Sequence, residues 1–251
     1  MTKIGIILGY GTNLNLNIKN KNNKVITTPY GHASSEISSG KYDGKELFIL
    51  HRHGVDENIP SFKVNFKANI YALYEVGCEY IFASSVCGSL QEEICPGEFV
   101  IFNQFVDLTT HSELTFSDKV NTEKLNHSSF HKPFADVIRN TLIEASVVNG
   151  YTTHTKGIVM AVDGPRQSTR AEANLYRRLG ADVVNTTTTP EAILAHELNI
   201  KYGALSLCTY FDTWRTDIPP ATRGEKQEII TLNADKISSI LEDSIFKLEI
   251  E

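Results

Sequence analysis

A single α/β domain is what the 251-residue sequence predicts, on three observations. Short apolar runs of strand character alternate with longer stretches of helical spacing along the whole chain. Small and polar residues close most of the apolar runs, as they do where open α/β sheets receive their ligands. No linker-like stretch, internal repeat or low-complexity array interrupts the alternation, so residues 1–251 read as one unit.

Taken in order, Lys3 to Leu8 is an apolar run ended by Gly9-Tyr10-Gly11-Thr12, a strand and its turn. Asn13 to Lys24, rich in asparagine and lysine, reads as a surface loop or a weak edge strand. Glu46 to His51 is a second buried strand with Arg52-His53-Gly54 at its end. Ser61 to Val76 has helical spacing that places Val64, Ala68, Tyr71, Ala72 and Val76 on one face. Tyr80 to Ala83 and Glu98 to Phe105 read as strands joined through a glycine-containing turn that includes Ser84-Ser85-Val86-Cys87-Gly88. Pro133 to Val148 predicts a helix and Gly157 to Val162 a strand. Ser168 to Leu179 predicts a helix closed by Gly180, with a strand from Ala181 to Asn185 after it. Thr189-Pro190-Glu191 carries the marks of a helix start: a capping hydroxyl, proline at the first helical position and a carboxylate facing the macrodipole. Lys201 to Cys208 is the last buried strand, and Gly224 to Phe246 a closing helix.

Composition narrows the function. Apolar residues make up 41% of the chain, enough for a sizeable core, and the net charge of −6 with dispersed Lys and Arg argues against nucleic acid or an anionic membrane as partner. A small anionic ligand held by local cations stays open. Cys78, Cys87, Cys95 and Cys208 lack C-x-x-C spacing and are expected as free thiols of a reducing compartment. The amino terminus runs straight into a strand without signal architecture, and no apolar run reaches the ~18 residues of a membrane span, so a cytoplasmic protein is expected. Neither His51 with His53 nor His127 with His131 has the further ligands that a metal would need, and no metal is expected.

The polar strand ends are Gly9-Tyr10-Gly11, Arg52-His53-Gly54, Ser84 to Gly88, Asp163-Gly164-Pro165-Arg166, Thr186 to Thr189 and Thr209-Tyr210-Phe211-Asp212. Hydroxyls, an arginine, a histidine and exposed amides together can hold an oxyanion such as phosphate, because each oxygen needs charge-assisted donors. Singly, each has a plainer reading. Gly9-Tyr10-Gly11 is neither a P-loop nor a complete G-x-G-x-x-G, and a threonine run also serves strand propensity and capping.

In order, TPYGHASS (Thr28 to Ser35), RHG (Arg52 to Gly54), KVNFKANIYAL (Lys63 to Leu73), CGSLQEEICPGE (Cys87 to Glu98), DGPRQSTRAE (Asp163 to Glu172), GADVVNTTTTPEAILAHE (Gly180 to Glu197) and DTW (Asp212 to Trp214) form a collinear set. The set resembles the methylthioadenosine phosphorylase branch of the trimeric purine nucleoside phosphorylases, from about Lys3 to Trp214. The resemblance implies a nucleoside phosphorylase-like fold, a central mixed β-sheet flanked by helices. It implies cleavage of a nucleoside N-glycosidic bond by inorganic phosphate as co-substrate, without another cofactor. It also implies a homotrimer, or the hexamer formed by doubling it, with active sites at subunit interfaces. By similarity Arg52, His53, Ser85 and Thr187 bind phosphate at the turn holding Tyr10, and Val86, Cys87 and Gly88 line the base pocket. Asn185 shapes the floor, Ser168 and Asp212 face the base, and His127 with Phe130 reaches into the neighbouring subunit's site.

The departures from the family pattern concentrate in the pocket. Tyr10 stands in a turn that is typically G-G-[ST]-G, Gln167 replaces a stacking phenylalanine, Thr186 replaces a methionine beneath the ribose, and Glu57 stands where a histidine is usual. Tyr210 replaces the first aspartate of T-D-Y-D, removing a carboxylate whose general-acid type of contribution is typically ~10²–10⁴ in rate. An intact scaffold beside a rewritten pocket implies a changed substrate or reaction. A nucleoside phosphorylase leads, with Asp212 and Tyr210 as its catalytic pair. A nucleosidase or transferase using another nucleophile or base, and a silent nucleoside-binding relative, are the alternatives. Retention of Arg52 favours the first, since a buried cation without an anion is costly.

Overall fold

The computed structural model describes residues 1–14, 16–110, 113–117 and 129–249. Strand β1 (Lys3–Leu8) is followed by β2 (Lys19–Lys24), the short hairpin of β3 (Thr27–Thr28) and β4 (Gly31–His32), β5 (Ile37–Tyr42) and β6 (Lys45–His51). A single 3-10 turn at Ser61–Lys63 leads into α1 (Phe66–Glu75). Next come β7 (Tyr80–Ser89), β8 (Phe99–Ile101), β9 (Gln104–Asp107), α2 (Asp136–Val148), β10 (Thr153–His154) and β11 (Ile158–Ala161). The chain closes with α3 (Arg170–Arg178), β12 (Val183–Asn185), α4 (Thr188–Glu197), β13 (Lys201–Phe211) and α5 (Arg223–Lys247).

The main sheet runs β10-β8-β13-β7-β1-β6-β5-β2. Its centre, β13, β7, β1 and β6, is parallel, so the carboxyl ends of those strands share one edge. β8 lies antiparallel to β13 on one side, and β5 and β2 continue antiparallel on the other, which makes the sheet mixed. Helices α1 and α4 supply Phe66, Ile70, Leu73, Ala192 and Leu194 to the core on one face. Helices α2 and α5 supply Ile138, Leu142, Ile237, Ile240 and Leu241 to the other. Each Leu, Ile or Phe side chain so buried contributes about 1.5–3 kcal/mol.

One feature of the pairing creates the site. β7 pairs with β1 from Tyr80 to Ala83, then leaves it and meets β12 only at Gly88 and Ser89. β13 accompanies β7 throughout, with a register shift between Cys208 and Tyr210 that lets it bend along. Residues 84–87 therefore have a neighbouring strand on one side only, and ligands of α/β sheets bind where neighbouring strands diverge in this way.

The sequence expectation of a turn at Ser84 to Gly88 is corrected here: these residues continue β7, because β13 pairs with them residue by residue. Glu98 to Phe105 divides into β8 and β9, which join different partners. α4 begins at Thr188, earlier than the Thr189-Pro190 signal indicates. β5, not foreseen, pairs as the antiparallel neighbour of β6; its sequence ISSGKY has too few apolar residues to announce a strand.

Candidate active site

The open edge of β7 exposes backbone carbonyls that need donors. Arg52, just past β6, gives Nη1–H to the Ser84 carbonyl at 2.6 Å, and Asn185, at the end of β12, gives Nδ2–H to the Val86 carbonyl at 2.8 Å. The Asn185 side-chain oxygen in turn accepts from the amides of Thr187 and Thr188, both at 2.9 Å, and so caps α4. That cap corrects the expected one: among the described residues Thr189 Oγ1 is buried without a partner and caps nothing. Gly9 closes the fork from the β1 side, its amide donating to Ser84 Oγ at 2.9 Å. A β-carbon at position 9 would lie 2.7 Å from the Ser84 carbonyl oxygen, so only glycine lets the two strands approach this closely.

Arg52 is fully buried, and its counter-ion is internal. Glu191 of α4, also fully buried, accepts from Arg52 Nε at 2.5 Å and Nη2 at 2.8 Å, and from the Tyr202 hydroxyl at 2.7 Å. Two expectations change with this. Retention of Arg52 needs no external anion, and Glu191, expected only as a carboxylate in the first turn of a helix, is a buried ion-pair partner. Burial works against the Arg52 charge and Glu191 outweighs it, so the guanidinium stays firmly protonated. Tyr202 is held neutral by burial and by the same carboxylate.

Between the strand ends lies a hollow of about 50 Å³ lined by Gly9, Tyr10, Arg52, His53, Ser61, Ser85, Val86, Asn185, Thr186 and Thr187. At ~10–15 Å³ for each water-sized group, it admits about three to five of them, the size of a tetrahedral oxyanion. Ser85 is buried and its hydroxyl donates to Ser206 Oγ at 3.0 Å. Tyr10 lies flat on His53, ring centroids 3.7 Å apart and planes 12° from parallel, and its hydroxyl donates to the Ile59 carbonyl at 3.3 Å. The phenol thus forms a wall and leaves the hollow open. His53 Nδ1 is 2.8 Å from the same carbonyl, which only accepts, so Nδ1 carries the proton. Burial first, and the Arg52 charge second, push the His53 pKa down to about 4, so the imidazole is neutral near pH 7. Glu57 takes the Gly11 amide at 2.6 Å, occupying a turn donor that would otherwise face an anion.

The hollow adjoins a cavity of about 550 Å³ lined by Tyr30, Phe62, Asn65, Lys67, Glu113 and Asp163 among others, with Ser61 and Thr186 shared between the two. That volume is typical of a small-molecule site. Lys67 and Glu113 form a 3.4 Å ion pair in its wall, with the Lys67 ammonium 4.7 Å above the Tyr30 ring.

At the far end of β13 the wall differs. The hydroxyl end of Tyr210 rests on Gly88, where a β-carbon would lie 2.5 Å from Tyr210 Cζ. Burial, and next the Asp212 charge, hold that phenol neutral. Asp212 is 1% exposed, and among the described residues neither carboxylate oxygen has a hydrogen-bond partner. Burial raises its pKa, tempered by nearby Ser168 and Thr213, neither at hydrogen-bonding geometry. Cys87 is buried, and its carbonyl accepts from Thr209 Oγ1 at 3.3 Å. Ser168 is buried just before α3, with half-buried Gln167 beside it.

Of the residues singled out in the sequence, the fork gathers Tyr10, Arg52, His53, Ser85, Val86, Asn185, Thr186 and Thr187 around one hollow. Gly88, Tyr210 and Asp212 form a second group at the end of β13. His127 lies outside the described residues. Phe130 packs within its own chain on His196, centroids 4.3 Å apart, and on Phe105 at 5.5 Å. Sequence reasoning named Ser84 only as part of a polar strand end and passed over Ser206, Tyr202 and Lys226. Ser206 and Tyr202 are ordinary strand residues in sequence, and a lysine in a charged helix start carries no signal.

A profile of the phosphorylase superfamily matches residues 3–245, which sets the class. The chain is 43% identical over 219 residues to S-methyl-5'-thioadenosine phosphorylase of Ciona intestinalis, covering 86% of this chain and 78% of the relative. It is 38% identical over 251 residues to the Pyrococcus abyssi protein of the same name, covering 99% and 93%. The structure superimposes on methylthioadenosine phosphorylase from Schistosoma mansoni in complex with adenine, with a TM-score of 0.90, 31% identity and coverage of 98% and 91%. The chain belongs to the methylthioadenosine phosphorylase family of that superfamily.

Proposed function

We propose that the chain is a nucleoside phosphorylase that uses phosphate to cleave the N-glycosidic bond of a purine nucleoside of the methylthioadenosine kind, releasing the base and a pentose 1-phosphate. The observation that carries this reading is the pairing of an anion-sized hollow with a nucleoside-sized cavity across the shared wall of Ser61 and Thr186. Phosphate sits in the hollow against the hydroxyls of Ser85 and Thr187 and the neutral His53. Arg52 stiffens the fork through the Ser84 carbonyl and Glu191. The anion is thereby held against the anomeric carbon, and positioning of this kind supplies much of the rate for an oxocarbenium-like transition state. Thr186 lies under the ribose. Val86, Cys87, Gly88, Gln167, Ser168, Tyr210 and Asp212 are assigned to the base by the family resemblance alone, since of them only Val86 lines the hollow and none lines the larger cavity.

The chain works as a homotrimer, or as a doubled trimer, in the cytoplasm, with His127 and Phe130 completing a neighbour's site. Support for that part is the resemblance of the HSSFHKPF segment. No coenzyme is required, phosphate being a substrate.

The test is release of free base from methylthioadenosine with and without phosphate, with the sugar product identified. Phosphate-dependent release with pentose 1-phosphate is expected. A hydrolytic reading is favoured by one observation, the Glu57 carboxylate on the Gly11 amide, which opposes a second anion nearby. Base release indifferent to phosphate would establish it and remove phosphorolysis.

A further inference from the structure

Helix α5 starts with a capping box in which Thr222 and Glu225 satisfy each other's amides, pinning its first turn. Lys226, closing that turn, and Ile230, four positions on, share one face of the helix. Ile230 is buried, and Lys226 reaches over Tyr210 with its ammonium 3.9 Å from the ring centroid. Lys226 is half-buried, and among the described residues its ammonium has no hydrogen-bond acceptor and no carboxylate within ion-pair range. Burial lowers its pKa, and the Asp212 charge opposes that shift.

Beside Tyr210 thus stand a half-buried ammonium held only by the ring face and a fully buried carboxylate, with no salt bridge between them among the described residues. A structural pair would close into a salt bridge, because a buried charge without a partner is costly. A group that offers an acceptor to Lys226 and a donor to Asp212 would satisfy both. An aminopurine edge has that pattern, a ring nitrogen beside an exocyclic amine.

We propose that Lys226 is a catalytic residue, an acid that protonates a ring nitrogen of the departing base in place of the carboxylate that position 210 lacks. The proposal rests on the nucleoside reading above. As the bond from C1' to nitrogen breaks, its electron pair goes to the base, the Lys226 ammonium gives the base a proton, and a phosphate oxygen bonds C1'. Neutral Lys226 then recovers, through solvent, the proton that hydrogen phosphate gives up. Tyr210 cannot take this role, since its proton is held too tightly, but its ring face seats the ammonium without consuming an N–H donor.

The experiment compares wild type, Lys226→Met and Lys226→Arg, as full-length protein at saturating phosphate, on two nucleosides. One is methylthioadenosine; the other is a 7-methylpurine nucleoside, whose base is already cationic and needs no proton to leave. Lys226→Met should lose about 10²–10⁴-fold on the first and less than about 10-fold on the second, with Lys226→Arg between. Equal losses on both nucleosides, or none, overturn the acid role while leaving phosphorolysis intact. Wild-type protein that cleaves neither with phosphate overturns both readings together. If Lys226→Met does not fold, Lys226→Gln carries the same comparison.

Discussion

The two ends of the site are built on opposite principles. At the β1–β6 end, Arg52 is fully buried yet every charge nearby is answered inside the protein, by Glu191, Tyr202 and the Ser84 carbonyl. At the β13 end, Asp212 is as deeply buried, and among the described residues neither of its carboxylate oxygens has a hydrogen-bond partner. Burial of a charge therefore says little about function on its own; whether the charge is satisfied says more. A saturated network positions backbone, and an unsaturated group waits for a ligand.

The contrast breaks most visibly at Glu191. Glu191→Gln leaves the Arg52 guanidinium buried without its counter-ion, and a loss of about 3–5 kcal/mol is expected in urea unfolding. A loss under about 1 kcal/mol would mean that the network is not what holds the fork. Acid provides the second contrast. His53 has its pKa pushed down from 6.5 to about 4, so the unfolded chain takes up the proton first as the pH falls. The stability it supports is complete above pH 6.5 and drains away between 6.5 and about 4, by about 3 kcal/mol. Asp212 has a raised pKa and pulls the other way, so the native carboxyl is protonated before the unfolded one and stability is gained as the pH falls. Unfolding measured from pH 7 to pH 4 in wild type and Asp212→Asn separates the two slopes. The smallest effect on stability has the reverse sign: Asp212→Asn should raise it by about 1 kcal/mol, because an unpaired buried charge is removed. The same change should cost about 100-fold in turnover. If it destabilises the protein, Asp212 belongs to the saturated class after all.

Much of the scaffold was legible in the chain. The runs of Lys3 to Leu8, Glu46 to His51 and Lys201 to Cys208 appear as β1, β6 and β13 within a few residues, since parallel strands buried on both faces must be apolar nearly throughout. The site was legible as a list of strand ends, because a strand's carboxyl end is a local property. Which of them meet was not. Ser84 to Gly88 resembled a turn because small residues in sequence carry no sign of the β13 partner that keeps them extended. β5 was missed for a similar reason, a mostly polar strand that pairs only because β6 offers an edge.

By itself, then, the sequence determined the class of fold, the polar ends of its strands and the substitutions at positions 10, 167, 186 and 210, all of which depend on residue identity and short-range spacing. Only the tertiary structure decided that Glu191, 139 positions from Arg52, neutralises it, and that among the described residues Lys226 rests on the Tyr210 ring while Asp212 is buried without a hydrogen-bond partner. Electrostatic partnership depends on distance and desolvation in three dimensions, and neither is written in the order of the residues.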